Sequence, residues 1–223
     1  MHQIRRATAG RRLGRRLTQL YAGLVLYGLS MALMVRSELG NMPWDVFHQG
    51  VARSTPWSLG TITVLTGLVV LLLWIPLRER PGLGTVSNVL VIGVAVDLWL
   101  ALIPRVDDLW LQLLLVSSGI VLNGVATAAY IGVRMGPGPR DGLMTGLVRR
   151  TGGSVRLVRT GIEVVVVAAG WLLGGTLGVA TVVYALAIGP LTQRFLGPLT
   201  VVSARAVRDA GPPAPPPPAD PGR

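Results

Sequence analysis

The sequence predicts an all-α membrane protein with six transmembrane helices, arranged as two inverted three-helix repeats. Three observations predict it: six long apolar runs, arginines that gather between alternate runs, and an internal repeat with an offset of 96 residues. Of the 223 residues, 51% are hydrophobic and only 14% are charged. Soluble domains carry about 25% charged residues, so the composition argues against an ordinary soluble fold.

Composition also excludes several kinds of functional site. Cysteine is absent, which rules out disulfides, thiolate metal sites and cysteine nucleophiles. The two histidines, His2 and His48, lie far apart in the sequence, which leaves little room for a histidine zinc centre or an acid/base dyad. The net charge is +11, but the arginines lie at the ends of apolar runs and not on a soluble basic face. We therefore expect no metal, no cofactor and no nucleic-acid partner.

Six apolar runs are long enough to cross a bilayer core of about 30 Å, which takes about 20 helical residues. The first run follows a basic leader and has no small-residue cleavage site before Arg36, so we interpret it as a retained helix and not as a signal peptide. The fifth is the least apolar, because Arg159 and Glu163 lie in its first half. The predicted spans cover residues 17–35, 59–77, 85–103, 109–133, 157–173 and 178–195.

The arginines predict the orientation of these spans. Of 21 basic residues, 17 lie before the first span, after the second, after the fourth or at the end of the sixth, and three lie on the opposite side. Because cytoplasmic loops are enriched in arginine, both termini are predicted to be cytoplasmic. A missed span would place many arginines on the opposite side, so the uneven distribution of arginines also supports the number of six spans.

Four segments follow from this organisation: a basic cytoplasmic segment at residues 1–16, a three-helix unit at 17–104, a second unit at 109–196 and a cytoplasmic tail at 205–223. The tail contains four consecutive prolines and has almost nothing to bury, which is typical of a disordered, partly polyproline segment. A ligand for a proline-binding domain is the alternative interpretation of the tail.

The two three-helix units repeat each other in sequence. An offset of 96 residues aligns residues 17–93 with 113–189 without a gap, and 22 of the 77 aligned pairs are identical. Each unit has one helix, a G-x-x-P-x-D loop, a second helix, and a G-x-x-T motif that opens the third. Because three is odd, consecutive units enter the membrane from opposite sides, which predicts inverted topology. The matched motif residues are Gly40 and Gly136, Gly50 and Gly146, Gly82 and Gly178, and Thr85 and Thr181.

Each G-x-x-P-x-D loop predicts the start of a short helix. Pro43 and Pro139 suit the first helical position, and the carboxylates of Asp45 and Asp141 then lie in the first turn, where negative charge is favourable. An amphipathic pattern of about ten residues follows, too short to cross a bilayer. Such helices either re-enter the membrane and build a site with their ends, or lie at the interface and redirect the chain. The two carboxylates are likewise either ligands or helix caps.

One difference between the two loops suggests a binding site. Trp44 in the first loop aligns with Arg140 in the second. A site built from both loops would place an aromatic wall beside a cation, which suits a small anionic or zwitterionic solute. The alternative is that Trp44 anchors the chain at the membrane interface and that Arg140 only marks the cytoplasmic side.

Ionisable residues inside the predicted spans are a second indication of function, since each costs roughly 3 kcal/mol there unless it is paired or hydrated. Asp97 lies in the third span, and Glu163 lies in the fifth with Arg159 one helical turn away. Arg159 is expected to reach the cytoplasmic surface, which leaves Glu163 more buried. Proton coupling through Glu163 or Asp97 is our hypothesis. The candidate ligand-binding residues are Pro43, Trp44, Asp45, Pro139, Arg140, Asp141, Glu163 and Asp97.

Together these motifs resemble the YitT/YczE family of bacterial integral membrane proteins. The likeness covers nearly all of residues 17–196 and departs from the family's glycine-rich form at Asn41 and Met42. The short proline-rich tail is similar to the YczE type, which lacks the soluble C-terminal domain of the YitT type. The resemblance implies a multi-pass protein of the bacterial inner membrane and supplies no substrate. It rests on Pro43–Gly50, Gly138–Met144, Gly82–Thr85, Ile162–Glu163 and Gly189–Pro190.

A small-solute transporter or permease, with its site between the two units, is the leading functional hypothesis. The chain has no ATPase motif, so transport would use ion coupling, diffusion or a partner chain. The alternative is a non-transporting membrane regulator or scaffold that holds cytoplasmic partners. An enzyme is not expected, because no nucleophile, metal cluster or cofactor loop accompanies the paired carboxylates. The expected partners are the lipid bilayer and a small solute, and self-association into a homo-oligomer stays open.

Overall fold

The computed structural model describes residues 2–201, with residues 2–12 described only as helical backbone. The described residues form eight α-helices and no β-strand. Residue 1 and the predicted tail at 205–223 lie outside the described residues. In chain order the helices are α1 (His2–Ser37), α2 (Pro43–Arg53), α3 (Leu59–Leu77), α4 (Leu83–Leu102), α5 (Leu109–Gly132), α6 (Pro139–Thr151), α7 (Val155–Leu172) and α8 (Val179–Leu199).

Within this part of the chain, five helices are long and apolar enough to cross a membrane, namely Leu13–Ser37 of α1 together with α3, α4, α5 and α8. They coincide with five of the six predicted spans. Helix α7 forms where the other span was predicted, but its 18 residues include Arg156, Arg159 and Glu163. With three charged residues in 18, α7 is not apolar enough to count among the membrane-crossing helices. The all-α class is therefore confirmed for the described residues, and the sixth span is not.

The outer surface of the helices is apolar. Large hydrophobic side chains are exposed along α3, α4, α5 and α7, among them Ile75, Val94, Trp110 and Leu172. Contiguous apolar surface of this extent is typical of contact with a membrane and not with water. This apolar surface is consistent with the predicted contact with the lipid bilayer.

Helices α2 and α6 begin at the two P-x-D motifs, as predicted. They have 11 and 13 residues, and each has proline in its first turn. The preceding loops adopt the same backbone conformation, because φ is +129° at Gly40 and +128° at Gly136. Residues with a Cβ rarely adopt such φ values, which explains why glycine occupies both positions. Two residues earlier, Glu38 and Arg134 are also matched, at φ 55° and 53°.

The centre of the fold is a pair of crossing helices, α1 and α5. They approach closely at glycines: a Cβ added at Gly23 would meet Ala129 at 3.1 Å, and one added at Gly119 would meet Ser30 O at 3.2 Å. The buried side chains of α1 include Leu20, Leu24 and Met31. The helix that we interpreted as retained therefore contributes to the hydrophobic core.

Two glycines 96 positions apart dock the outer helices on this central pair. A Cβ added at Gly28 of α1 would lie 2.6 Å from the Ala95 side chain of α4, and one added at Gly124 of α5 would lie 2.8 Å from the Leu191 side chain of α8. Small residues at helix crossings allow this close approach in membrane proteins.

Each short helix packs against a long helix from the other predicted unit. Gly170 of α7 lies so close to the backbone of Val46 and Phe47 in α2 that an added Cβ would overlap it. Across the fold, the Trp74 ring of α3 lies against Gly142 of α6 in the same way. In the first contact the long helix α7 supplies the glycine, and in the second the long helix α3 supplies the large side chain.

The G-x-x-T motifs hold these loops in place. Thr85 Oγ1 accepts a hydrogen bond from Gly82 N at 3.1 Å and donates one to Pro137 O at 2.7 Å, so the start of α4 is tied to the loop before α6. Thr181 lies in the equivalent position at the start of α8, with Gly40 against it and Gly178 N 3.4 Å from its Oγ1. The motifs that repeat in the sequence are therefore the contacts between the two predicted units.

Candidate binding site in the central cavity

A cavity of about 340 Å³ lies where the two short helices meet the long ones. All eight helices contribute residues to its wall, so both predicted units share it. Four charged side chains line it, Arg140, Asp141, Arg159 and Glu163. Its aromatic side chains are Tyr27, Trp44, Tyr130 and Tyr184. A concave site with a few convergent polar groups on an apolar wall is the usual form of a small-molecule site.

One side of the cavity is a cluster around Asp45. This carboxylate is 1% exposed, and its Oδ1 lies 3.1 Å from His48 Nδ1 and 3.5 Å from a guanidinium nitrogen of Arg140. The Arg140 guanidinium also lies over the Trp44 ring, 5.2 Å from its centroid. A guanidinium at this distance from an indole face makes a cation–π contact. Asp45 and Trp44 thus hold Arg140 of the opposite unit at the cavity wall.

Tyrosines form another part of the cavity wall. Tyr130 donates a hydrogen bond to Asp141 Oδ2 at 3.2 Å, and Tyr184 donates one to Asn123 Oδ1 at 2.9 Å. The rings of Tyr27 and Tyr130 meet edge to face with centroids 6.3 Å apart. Tyrosine supplies a polar tip on an apolar body, so this wall can contact both charged and apolar parts of a solute.

Buried hydrogen bonds fix both short helices relative to the cavity. The Trp74 indole donates to Pro139 O at 3.0 Å, at the first residue of α6. At α2, Gln49 Oε1 accepts from Asn41 Nδ2 at 2.9 Å and from Thr176 N at 2.7 Å. The bonds from Trp74 to Pro139 O and from Thr176 N to Gln49 each join a short helix to a segment distant in the sequence, so they set the positions of Arg140 and Asp45.

Most of the predicted ligand-binding residues come together here. Pro43, Trp44, Pro139, Arg140, Asp141 and Glu163 line the cavity, and Asp45 lies directly behind its wall. Their role in binding stays a prediction. The alternative roles fit the structure less well, because Trp44 is buried at 8% exposure and neither aspartate accepts a backbone hydrogen bond within the described residues. An interfacial anchor would be exposed, and a cap would accept such a bond.

Asp97 is the candidate that the structure places elsewhere. Its carboxylate accepts hydrogen bonds from Ser58 Oγ at 2.5 Å and from Gly60 N at 2.8 Å, so it joins α4 to the start of α3. Glu163, by contrast, lines the cavity and pairs with Arg159 Nε at 2.9 Å.

Asp97→Ala is therefore expected to lower the stability of the protein by about 1 to 2 kcal/mol, as removal of a helix-capping carboxylate does. The measurement is the thermal unfolding midpoint of the purified protein in detergent. Asp107→Ala is the matched control, because Asp107 is exposed and makes no side-chain hydrogen bond within the described residues. Equal midpoints for the two variants would contradict the assigned role.

Sequence reasoning missed several residues of this cavity. His48 lies far from the other histidine in the sequence, but its partner is a carboxylate three residues away. That spacing, on one face of a predicted helix, was the available signal. Tyr27, Tyr130 and Tyr184 gave no signal, since tyrosines in apolar spans are compatible with ordinary core packing.

The comparisons with known proteins agree with this description of a membrane protein. A Haemophilus influenzae relative, described as an uncharacterized protein, is 38% identical over 177 residues, which is 79% of this chain and 81% of the relative. The uncharacterized membrane protein YczE of Bacillus subtilis is 31% identical over 188 residues, 83% of this chain and 87% of that protein. The uncharacterized protein YyaS of Bacillus subtilis is 25% identical over 181 residues, which is 78% of this chain and 89% of that protein.

These relatives confirm the resemblance to YczE, whereas the likeness to YitT proteins stays a prediction. No solved structure is significantly similar to the chain. Together with the five apolar helices, the relatives identify a multi-pass membrane protein. A model of the family of unknown function DUF6198 matches residues 14–197. With this match over most of its length, the chain belongs to the DUF6198 family.

Proposed function

We propose that the protein is a small-solute transporter or permease of the bacterial inner membrane, without an enzymatic step. In this proposal α7 is the sixth span, the two units form a 3+3 inverted repeat, and both termini are cytoplasmic. The observation that carries it is the cavity itself, which is lined by charged and aromatic side chains of both units. Charged groups inside a membrane protein's spanning region are costly, and they commonly mark solute pathways. In inverted-repeat transporters, short helices from both halves form the solute site in this way.

An inverted repeat also accounts for the cross-packing of the two units. Helix α2 packs against α7, and α6 packs against α3, as a pseudo-two-fold axis in the membrane plane requires. Under the same symmetry the matched loop glycines Gly40 and Gly136 lie on opposite sides of the membrane. The distribution of arginines supports that arrangement independently.

The cavity is closed by one helix pair and open at the equivalent pair. In α4, a Cβ added at Gly93 would overlap Val64 of α3. At the equivalent Gly189 of α8, which lines the cavity, an added Cβ would meet nothing within 4 Å. The wall on this side includes Arg159 of α7 and Gln193 of α8, which lie near the helix ends on the predicted cytoplasmic side. In this proposal the conformation therefore faces the cytoplasm. A transporter that alternates would close α7 on α8 and open α3 from α4.

Single cysteines provide the test, because the natural chain has none. Thr66→Cys places one thiol in the cavity wall on α3. Thr55→Cys and Thr151→Cys occupy equivalent positions of the repeat, just after the end of α2 and at the last residue of α6. In oriented membrane vesicles, a membrane-impermeant thiol reagent is expected to reach Thr55→Cys from one side of the membrane only, and Thr151→Cys only from the other side. Thr66→Cys is expected to react from either side, since the site alternates.

The outcomes separate the possible roles. If Thr55→Cys and Thr151→Cys react from the same side, the inverted topology is wrong. If they react from opposite sides but Thr66→Cys reacts from one side alone, the protein does not alternate, and the regulator or scaffold role replaces transport. The assay requires no knowledge of the solute.

A further inference from the structure

The Arg140 guanidinium faces the cavity with unused hydrogen-bonding capacity. It has five N–H donors, and within the described residues none of them makes a hydrogen bond to the protein. Its contacts are the Trp44 face and Asp45 Oδ1 at 3.5 Å, which is too long for a good hydrogen bond. The side chain is 30% exposed and lines the cavity. Its planar fork matches a carboxylate.

Asp141, the next residue, presents the opposite charge to the same cavity. In the part of the chain that the structure describes, it forms no ion pair and accepts one hydrogen bond, from Tyr130. A carboxylate has about four acceptor positions, so most of its capacity is unused. An ammonium group carries three donors and suits this position.

Arg140 and Asp141 cannot satisfy each other, although they are adjacent. Consecutive helical residues point in directions about 100° apart, so their charged groups do not face each other. The Trp74 hydrogen bond to Pro139 O fixes the first turn of α6, which holds both groups at the wall. Gly138 at the helix start offers no side-chain cap, so the positive end of α6 also favours an anionic group near Arg140.

The total charge at the cavity excludes simpler ligands. Three carboxylates, Asp45, Asp141 and Glu163, stand against the guanidiniums of Arg140 and Arg159. Burial lowers the pKa of His48, so its imidazole adds no positive charge near neutral pH. A plain anion would add to a site that already has one excess negative charge. A plain cation would offer no acceptor to the N–H donors of Arg140, so it would use only half of the site.

From this geometry we infer that the cavity binds a small zwitterion of the amino-acid class. The carboxylate of the solute binds Arg140, and its ammonium group binds Asp141 beside the tyrosine wall. The cavity of about 340 Å³ is large enough for such a molecule. The inference rests on the proposed transport function, for which it names the solute class.

The test uses the Thr66→Cys protein and measures how solutes slow its reaction with the thiol reagent. The probes are glycine betaine and the nineteen protein amino acids other than cysteine, whose thiol would consume the reagent. Each protecting compound is compared with its own amine and acid analogues, such as leucine with isopentylamine and 4-methylpentanoate. Removing either charged group is expected to weaken protection at least tenfold, as loss of one buried charge-assisted hydrogen bond does.

Two variants that each remove one charge from the site test which residue binds which end of the solute. In Arg140→Gln the amino acid and its amine analogue should protect equally, because the carboxylate has lost its partner. In Asp141→Asn the amino acid and its acid analogue should protect equally. Arg156→Gln, outside the cavity wall, is the matched control and should behave as the parent protein.

Protection by amines or acids that is as strong as by amino acids would overturn the inference. So would the absence of protection by every probe in a protein whose Thr66→Cys reacts from both sides. Reaction of Thr66→Cys from one side alone would instead contradict the transport function, while the binding comparison stays valid. If either variant fails to fold, the analogue series on the parent protein decides the solute class.

Discussion

Gly170→Ala is expected to destabilise the protein by about 2 to 3 kcal/mol, because it inserts a methyl group where two backbones already touch. The added Cβ would lie 2.5 Å from Phe47 Cα and from the Val46 carbonyl carbon. Neither atom can move without shifting α2, so the strain is not relieved by a side-chain rotation. The thermal unfolding midpoint of the purified protein measures the loss.

The matched control for this substitution lies in the same helix. Gly161 of α7 is exposed, and a Cβ added there would meet nothing within 4 Å. Gly161→Ala should leave the midpoint unchanged or raise it, since alanine favours a helix over glycine by up to about 1 kcal/mol. If both variants lowered the midpoint equally, the close contact between α2 and α7 would not contribute to stability.

Gly142→Ala is expected to disturb the solute site as well as stability. An added Cβ would overlap the Trp74 ring and lie 2.5 Å from two of its atoms. Trp74 is 1% exposed, so the ring has no space to move into. Its displacement breaks the hydrogen bond to Pro139 O and releases the turn that carries Arg140 and Asp141. We expect a loss of about 1 to 3 kcal/mol in stability and protection by amino acids weakened about tenfold.

Trp74→Phe separates the two effects of that substitution. Phenylalanine keeps an aromatic ring against Gly142 but cannot donate a hydrogen bond to Pro139 O. It should weaken protection of Thr66→Cys by amino acids while costing only about 1 kcal/mol in stability. Normal protection in both variants would show that Trp74 does not position the site.

The sequence was sufficient for features that depend on local or one-dimensional properties. The lengths of five apolar helices follow from the thickness of a bilayer, and the starts of α2 and α6 follow from proline at the first helical position. The internal repeat marked Gly40 and Gly136, whose positive φ values require glycine. It also selected Pro43, Trp44, Pro139, Arg140 and Asp141, which line the cavity, because they lie in the repeated motifs.

Other features depended on how the helices are rotated and crossed, which no local pattern records. The contacts of Asp45 with Arg140 and of Trp74 with Pro139 join residues 95 and 65 positions apart in the chain. The three tyrosines face the cavity because of helix rotation, and Asp97 lies outside it for the same reason.

Sequence alone therefore determined the class of the protein, its short helices and its paired motifs, since each reflects the chemistry of a single segment. The tertiary structure decided which charges face one another, and which of two equivalent helix pairs is open. Matching glycines, Gly93 and Gly189, have different surroundings in the folded protein although their sequence positions are equivalent. The physical reason is that packing between distant segments is a property of the whole fold, so related sequences in two halves need not make the same contacts.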